Sequence, residues 1–159
     1  MANWFIENLP GTDPLKLQKL IYYAHGWHLA IKNEPLIDDF VQAWKYGSVI
    51  PAVYHEFKGY GNDAIPRKAL GTILERDADG DMAFVVPRIP PEDKQTQEFL
   101  KKIAEIFGQY TGLRLSAFTH QPGTPWFKIM KQNPNRKGVN IPDNEIQKYF
   151  EDVAQRQHG

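Results

Sequence analysis

The chain has 159 residues, 42% of them hydrophobic and 13% aromatic, a size and apolar content that fit one domain with a single core. Its 19 basic and 19 acidic residues cancel, so it lacks the basic excess that nucleic-acid binders draw on. There is no cysteine, which excludes disulfides, thiol catalysis and cysteine-based zinc sites.

The stretch Met1 to Asn8 has no basic segment followed by a long apolar run, so no signal peptide is expected. No stretch approaches the roughly 18 consecutive apolar residues of a membrane span. These features, with the missing cysteines, fit a cytoplasmic protein without membrane partners.

The first strong element opens at Asp13-Pro14, a side-chain cap followed by a proline whose missing N–H costs nothing at a helix start. Leu17, Leu20, Ile21, Ala24, Trp27 and Ile31 then recur with a 3.6-residue period, which predicts a helix from about Pro14 to Lys32. Lys16, Lys19 and Tyr23 fall on a neighbouring, more polar stripe, and Asn33-Glu34-Pro35 ends the helix. Leu36, Phe40, Val41, Ala43 and Trp44 suggest a short, mostly buried piece, and Tyr46-Gly47-Ser48 a turn. Pro51 starts a second helix carrying Val53, Tyr54 and Phe57, with Gly59 as its stop.

Thr72 to Leu74 and Met82 to Val86 read as strands around the turn residues Asp77-Ala78-Asp79-Gly80, giving a small β-hairpin within about residues 70–87. Helical spacing returns after Pro91 through Phe99, Leu100, Ile103, Ile106, Phe107 and Tyr110. A short helix follows through Leu113, Leu115, Ala117 and Phe118. Thr124-Pro125 caps another, carrying Trp126, Phe127 and Met130. A last helix from about Asp143 presents Ile146, Tyr149, Phe150 and Val153, with a frayed tail expected after Ala154. The sum is a mainly α single domain, a compact helical bundle with a small β-hairpin insertion, spanning residues 1–159 with its core at about 13–151.

The search for catalytic or metal-binding patterns fails at each step. His25 and His28 are three apart on the first helix, but no third and fourth ligand lies near them in sequence. His55-Glu56 does not continue to a zinc-protease motif, because position 59 is Gly. Asp77, Asp79 and Asp81 alternate as in a calcium loop, yet Met82 and Arg88 stand where that loop needs Gly and Glu. Ser116 and His120 are one helical turn apart without the strained nucleophile turn of a hydrolase. Lys128, Lys131, Arg136 and Lys137 form a basic cluster, but no glycine-rich phosphate loop accompanies it. The expectation is therefore no catalytic residue, no metal and no cofactor.

Three blocks carry a resemblance. Asp13-Pro14-Leu15-Lys16-Leu17-Gln18-Lys19-Leu20-Ile21-Tyr22-Tyr23-Ala24-His25-Gly26-Trp27 is similar to the opening helix of the Panacea domain, the family of SocA-like and phage-associated GepA-like antitoxins. Ala43-Trp44-Lys45-Tyr46-Gly47-Ser48-Val49-Ile50-Pro51, continuing to Val53-Tyr54, resembles its second block, with Ser48 where the family usually has proline. Leu115-Ser116, Thr119-His120 and Pro125-Trp126 resemble its third. The blocks run in order across nearly the whole chain.

The resemblance implies an antitoxin that neutralises a protein toxin, encoded nearby in a bacterial or phage genome, by direct contact rather than by catalysis. Two alternatives stand beside it: an adaptor that delivers a partner to a cellular AAA+ protease, and a hydrolase or metal-dependent enzyme using His120. Lys16, Lys19, Tyr23, Tyr46 and Tyr54 are the candidate partner-binding residues. For those five, packing in the core is an equal reading; Gln18, Trp27, Trp44, Gly47, Thr119, His120, Pro125 and Trp126 are motif residues with a structural reading beside the functional one.

Overall fold

The structure, a computed structural model, describes residues 1–158, with side chains through Arg156. Among the described residues there are seven helices, most of them packed against the second: α1 (Ala2–Asn8), α2 (Pro14–Lys32), α3 (Pro51–Phe57), α4 (Lys94–Phe107), α5 (Gly112–Thr119), α6 (Pro125–Gln132) and α7 (Asp143–His158). A single 3-10 turn at Lys58–Tyr60 follows α3. The mainly α bundle expected from the sequence is the observed architecture. Among the described residues, no helix is long and apolar enough to cross a membrane.

Helix α2 is the axle of the bundle. The Asp13 carboxylate accepts from the Lys16 N–H at 2.8 Å, meeting one of the free donors of the first turn. At the other end Asn33 takes the left-handed conformation (φ 57°) that closes many helices. Leu17, Leu20, Ile21 and Ala24 are essentially solvent-free, and α1, α4, α5 and α7 all pack on this helix. Burying a side chain of that size is worth about 1.5–3 kcal/mol, so α2 is the largest single source of core stability. Gly26 lets α7 approach most closely: a Cβ there would run into the Phe150 ring.

The outer helices are capped in the same way. Asp93 accepts from the Thr96 N–H at 3.0 Å to start α4, and Thr111 accepts from the Arg114 N–H at 3.2 Å to start α5. Thr124 accepts from the Phe127 N–H at 3.3 Å ahead of Pro125 in α6. Helix α4 buries Leu100 and Ile103 while Ile106 stays exposed, so only part of its apolar stripe meets the core.

Two small antiparallel sheets interrupt the helices. β3 (Ile73–Arg76) and β4 (Met82–Val85) form the hairpin expected there. In its turn Asp77 Oδ1 accepts from the N–H groups of Asp79 and Asp81 at 3.0 and 2.9 Å, so the acidic cluster is a turn stabilised by its own backbone. The roots of the hairpin are tied to α1. Asn3 donates to the carbonyls of Gly71 and Pro87 at 2.9 and 3.0 Å, and accepts from the Gly71 N–H at 2.8 Å. The second sheet has the order β2-β1-β5, from β1 (Gln42–Trp44), β2 (Gly47–Val49) and β5 (Val139–Asn140). Ala43 faces Ser48 on one side and Val139 on the other.

Several local expectations need correction. The turn between β1 and β2 is made by Lys45 and Tyr46, and Gly47 and Ser48 already belong to β2. Val41 and Ala43 are buried but Phe40 is exposed at 71%, so the buried piece begins only at Val41. The core reaches further toward the N-terminus than residue 13, since Phe5 and Ile6 of α1 are fully enclosed. Helix α7 continues past Ala154 to His158 instead of fraying.

Candidate protein-binding groove

A groove of about 1060 Å³ opens between the N-terminal half of α2, the β1–β2 hairpin, α3 and α5. Leu15, Trp44, Val49, Val53 and Leu113 give it mostly apolar walls, and Gln18, Lys19, Ser116 and His120 supply polar groups deeper in. Tyr46 is 70% exposed on the hairpin turn and Tyr54 is 39% exposed on α3, both lining the groove.

The hairpin is fastened to the helices by side chains aimed at its backbone. Lys19 is fully buried and its Nζ donates to the Ser48 carbonyl at 2.7 Å. The Ser116 hydroxyl donates to the Tyr46 carbonyl at 3.0 Å. The Trp126 indole N–H donates to the Trp44 carbonyl at 2.7 Å. The Gln18 carboxamide binds both backbone groups of Ile50, just after β2. Three different helices therefore hold one short hairpin, which fixes Trp44 and Tyr46 in place. The ring of Trp44 meets Tyr54 edge-on at 4.9 Å, and its indole N–H donates to Gln42 at 3.0 Å.

Lys19 and His120 meet at Gly47. This glycine has φ 120°, where a side chain is strained, and a Cβ would lie 2.6 Å from Lys19 Nζ and 3.3 Å from His120 Nε2. Burial pushes the Lys19 ammonium down to about 7. The His120 ring lies against Trp126, tilted by 37° with centroids 4.1 Å apart. Its Nε2 is buried without a hydrogen-bond partner among the described residues. Burial holds this imidazole below its ordinary value, and the neighbouring Lys19 charge pulls in the same direction against a weaker opposing effect of the Tyr46 backbone.

The motif residues thus divide by place. Gln18, Lys19, Trp44, Tyr46, Tyr54 and His120 line the groove, and Gly47 and Trp126 brace it from behind. Thr119 and Pro125 are buried in the α5–α6 connection, where the Thr124 hydroxyl donates to the Thr119 carbonyl at 2.6 Å. Trp27 packs edge-on against Phe150, away from the groove.

Lys16, Lys19 and Tyr23 do not form one exposed stripe. Lys16 is half-buried and its Nζ donates to the Gly108 carbonyl at 2.6 Å. Tyr23 is buried, stacked on Phe107 at 4.4 Å. The sequence places all three on the polar side of α2, but α4, α5 and the β1–β2 hairpin cover that side as well. Their burial raises the Tyr22 and Tyr23 hydroxyls well above their ordinary pKa.

His25 is a core residue: its Nδ1 accepts from the Leu36 N–H at 3.3 Å and its Nε2 donates to Asp143 at 2.9 Å. His28 Nδ1 pairs with the Glu34 carbonyl at 2.8 Å. No cluster of three His, Cys, Asp or Glu suited to a metal ion occurs among the described residues. Sequence reasoning missed Leu15, Leu113 and Lys58 as groove residues. Only the 77% exposure of the apolar Leu113 marks it, and exposure is not visible in the sequence.

Comparison with known proteins agrees with the three blocks. The family model described as "Antitoxin SocA-like, Panacea domain" matches residues 17–127. A protein named Antitoxin SocA from Caulobacter vibrioides (strain NA1000 / CB15N) is 32% identical over 157 residues, covering 94% of this chain and 80% of that protein. No solved structure matches the chain. With the family blocks converging on one groove and the match covering most of its length, the chain belongs to the SocA-like, Panacea-domain antitoxin family.

Proposed function

We propose that this chain is an antitoxin that neutralises a protein toxin encoded beside it, by direct contact at the groove and without chemistry of its own. The observation that carries this reading is the pair Tyr46 and Tyr54. Both are exposed, both line an apolar groove, and both sit on elements pinned by the buried motif residues. Rigid aromatic side chains of this kind supply much of the energy of protein–protein interfaces. The Ser116 hydroxyl donates its hydrogen bond to the Tyr46 carbonyl, so it serves the hairpin rather than a base. The site of action under this reading is the cytoplasm, where the toxin is made.

The test is co-expression with the adjacent gene. Growth is restored by this chain and lost again in the Tyr46→Ala/Tyr54→Ala variant, whose far-UV circular dichroism stays that of the folded chain because neither ring is in the core. Failure of the unmodified chain to rescue growth overturns the reading. The toxin's half-life is measured in the same cells: direct masking leaves it unchanged or longer, whereas delivery to a protease shortens it.

A further inference from the structure

We infer that the floor of the groove is a carboxylate site, which seats an acidic group from an apolar segment of the bound protein between Lys19 and His120. This rests on the antitoxin reading for the identity of the partner, though not for the chemistry of the site.

Charge is distributed unevenly around the groove. The whole chain is neutral, yet every charged residue lining the groove is a lysine: Lys19, Lys45, Lys58 and Lys137, with no Asp or Glu among the described residues. Lys45, Lys58 and Lys137 are exposed and form a positive rim. Lys19 lies at the floor, fully enclosed. An ammonium has three donors, and one of them is spent on the Ser48 carbonyl. No carboxylate lies within ion-pair distance of it among the described residues.

A buried cation without a counter-ion is costly, and one removed from water gains most from an anion that also accepts its hydrogen bonds. His120 adds a second unmet group beside it. Its Nε2 is enclosed and unpartnered, and Trp126 holds its ring in place. The two nitrogens both lie against Gly47, where a Cβ would stand 2.6 Å from Lys19 Nζ and 3.3 Å from His120 Nε2.

The ligand class follows from the walls as well as the floor. There is no arginine in the lining, and one amine and one imidazole at the floor match the two oxygens of a carboxylate better than the charge of a phosphate. Leu15, Trp44, Val53 and Leu113 offer apolar surface to neighbouring side chains of a peptide, not to a sugar. The occupant is therefore a segment with an Asp or Glu side chain, or a C-terminal carboxylate, flanked by aliphatic or aromatic residues. The lysine rim draws it in by charge.

The test uses the full chain and two random peptide libraries, one displaying internal segments and one displaying free C-termini. Acidic residues beside apolar ones are enriched from the first if the group is a side chain, and free termini from the second if it is a chain end. The best peptide loses at least about tenfold in affinity when its carboxylate is made an amide. The Lys19→Met variant shows the same loss, and the two losses together do not add. Because Lys19→Met removes a buried contact, the exposed rim is tested separately: Lys45→Glu/Lys58→Glu/Lys137→Glu folds normally and loses the acidic peptides. No enrichment, enrichment without acids, or an amide change within about twofold overturns the carboxylate site. If the rim variant still rescues growth fully and no acidic peptide is selected, this inference fails while the antitoxin reading stands. If acidic peptides bind at Lys19 but no neighbouring toxin is neutralised, the antitoxin reading fails and the carboxylate site stands.

Discussion

The Gln18 carboxamide pairs with both backbone groups of Ile50, donating to its carbonyl at 3.1 Å and accepting from its N–H at 2.9 Å. A side chain on α2 thus does for Ile50 what a neighbouring strand would do. It fixes both the end of β2 and the start of α3, and so the position of Tyr54. Gln18→Leu keeps the bulk but leaves the enclosed Ile50 N–H unmet, while the Ile50 carbonyl keeps only the Tyr54 N–H at 3.0 Å. The expected cost is about 2 kcal/mol, or a melting temperature lower by roughly 5 °C. Thermal unfolding by circular dichroism checks it, and an unchanged melting temperature would show that water replaces the amide at no cost.

Lys19 links stability to pH. Its ammonium persists to about 10.5 in the unfolded chain but only to about 7 in the fold. Between those values the unfolded chain holds the extra proton, so raising the pH favours the fold; below about 7 both states are charged and the effect is flat. The gain is at most about 1.4 kcal/mol per pH unit. Urea unfolding of the unmodified chain and of Lys19→Met, compared from about pH 6 to pH 9, should give curves that diverge above neutrality in favour of lysine. Staying below pH 10 avoids Tyr22 and Tyr23, whose hydroxyls are held protonated by burial and whose ionisation in the unfolded chain works the other way. Parallel curves would mean that Lys19 keeps its charge when folded.

Gly26 and Phe150 set how closely α2 and α7 approach. Gly26→Ala places a methyl group inside the Phe150 ring and should cost about 1–3 kcal/mol. Phe150→Leu in the same chain makes room, so the double variant should be more stable than the sum of the two single losses allows. Strict additivity in a double-mutant cycle would show that the helices separate freely instead.

Trp126 serves through two different parts of its side chain. Trp126→Phe keeps a ring under His120 but loses the 2.7 Å bond to Trp44, and should cost about 1 kcal/mol. Trp126→Ala also removes the stacking surface and should cost about 3 kcal/mol or more. Equal losses, measured by denaturant unfolding, would assign the whole effect to the N–H.

The sequence was most readable where one local rule acted alone. Asp13-Pro14 and Asn33 bound α2 because caps are local chemistry, and the period of its apolar residues follows from helix geometry. Lys19 and Tyr23 were misplaced because a period names a polar side without saying whether another element covers it. The β1–β2 hairpin encloses Lys19 and the end of α4 covers Tyr23, and both are contributed by residues further along the chain. β5 was invisible for a related reason: two residues carry no alternation, and only their pairing with Gln42 and Ala43 makes them a strand. Within the groove, the motif blocks flagged Gln18, Trp44, Gly47 and His120. Their convergence on one hairpin is a product of tertiary packing.

The hairpin of β3 and β4 is held at both roots by the carboxamide of Asn3, with the Thr72 N–H donating to Glu56 and Arg88 pairing with Glu7 at the margins, and none of residues 72–86 belongs to the core. It is in effect a graft, joined to the body at a port. Its length and composition are free to drift so long as Gly71 and Pro87 still reach that amide, and a short linker between those two residues should leave the bundle intact. The dependence runs one way: removal of α1 would loosen the hairpin and strip Phe5 and Ile6 from the core, whereas removal of the hairpin would leave Gly71 and Pro87, the partners of Asn3, in place.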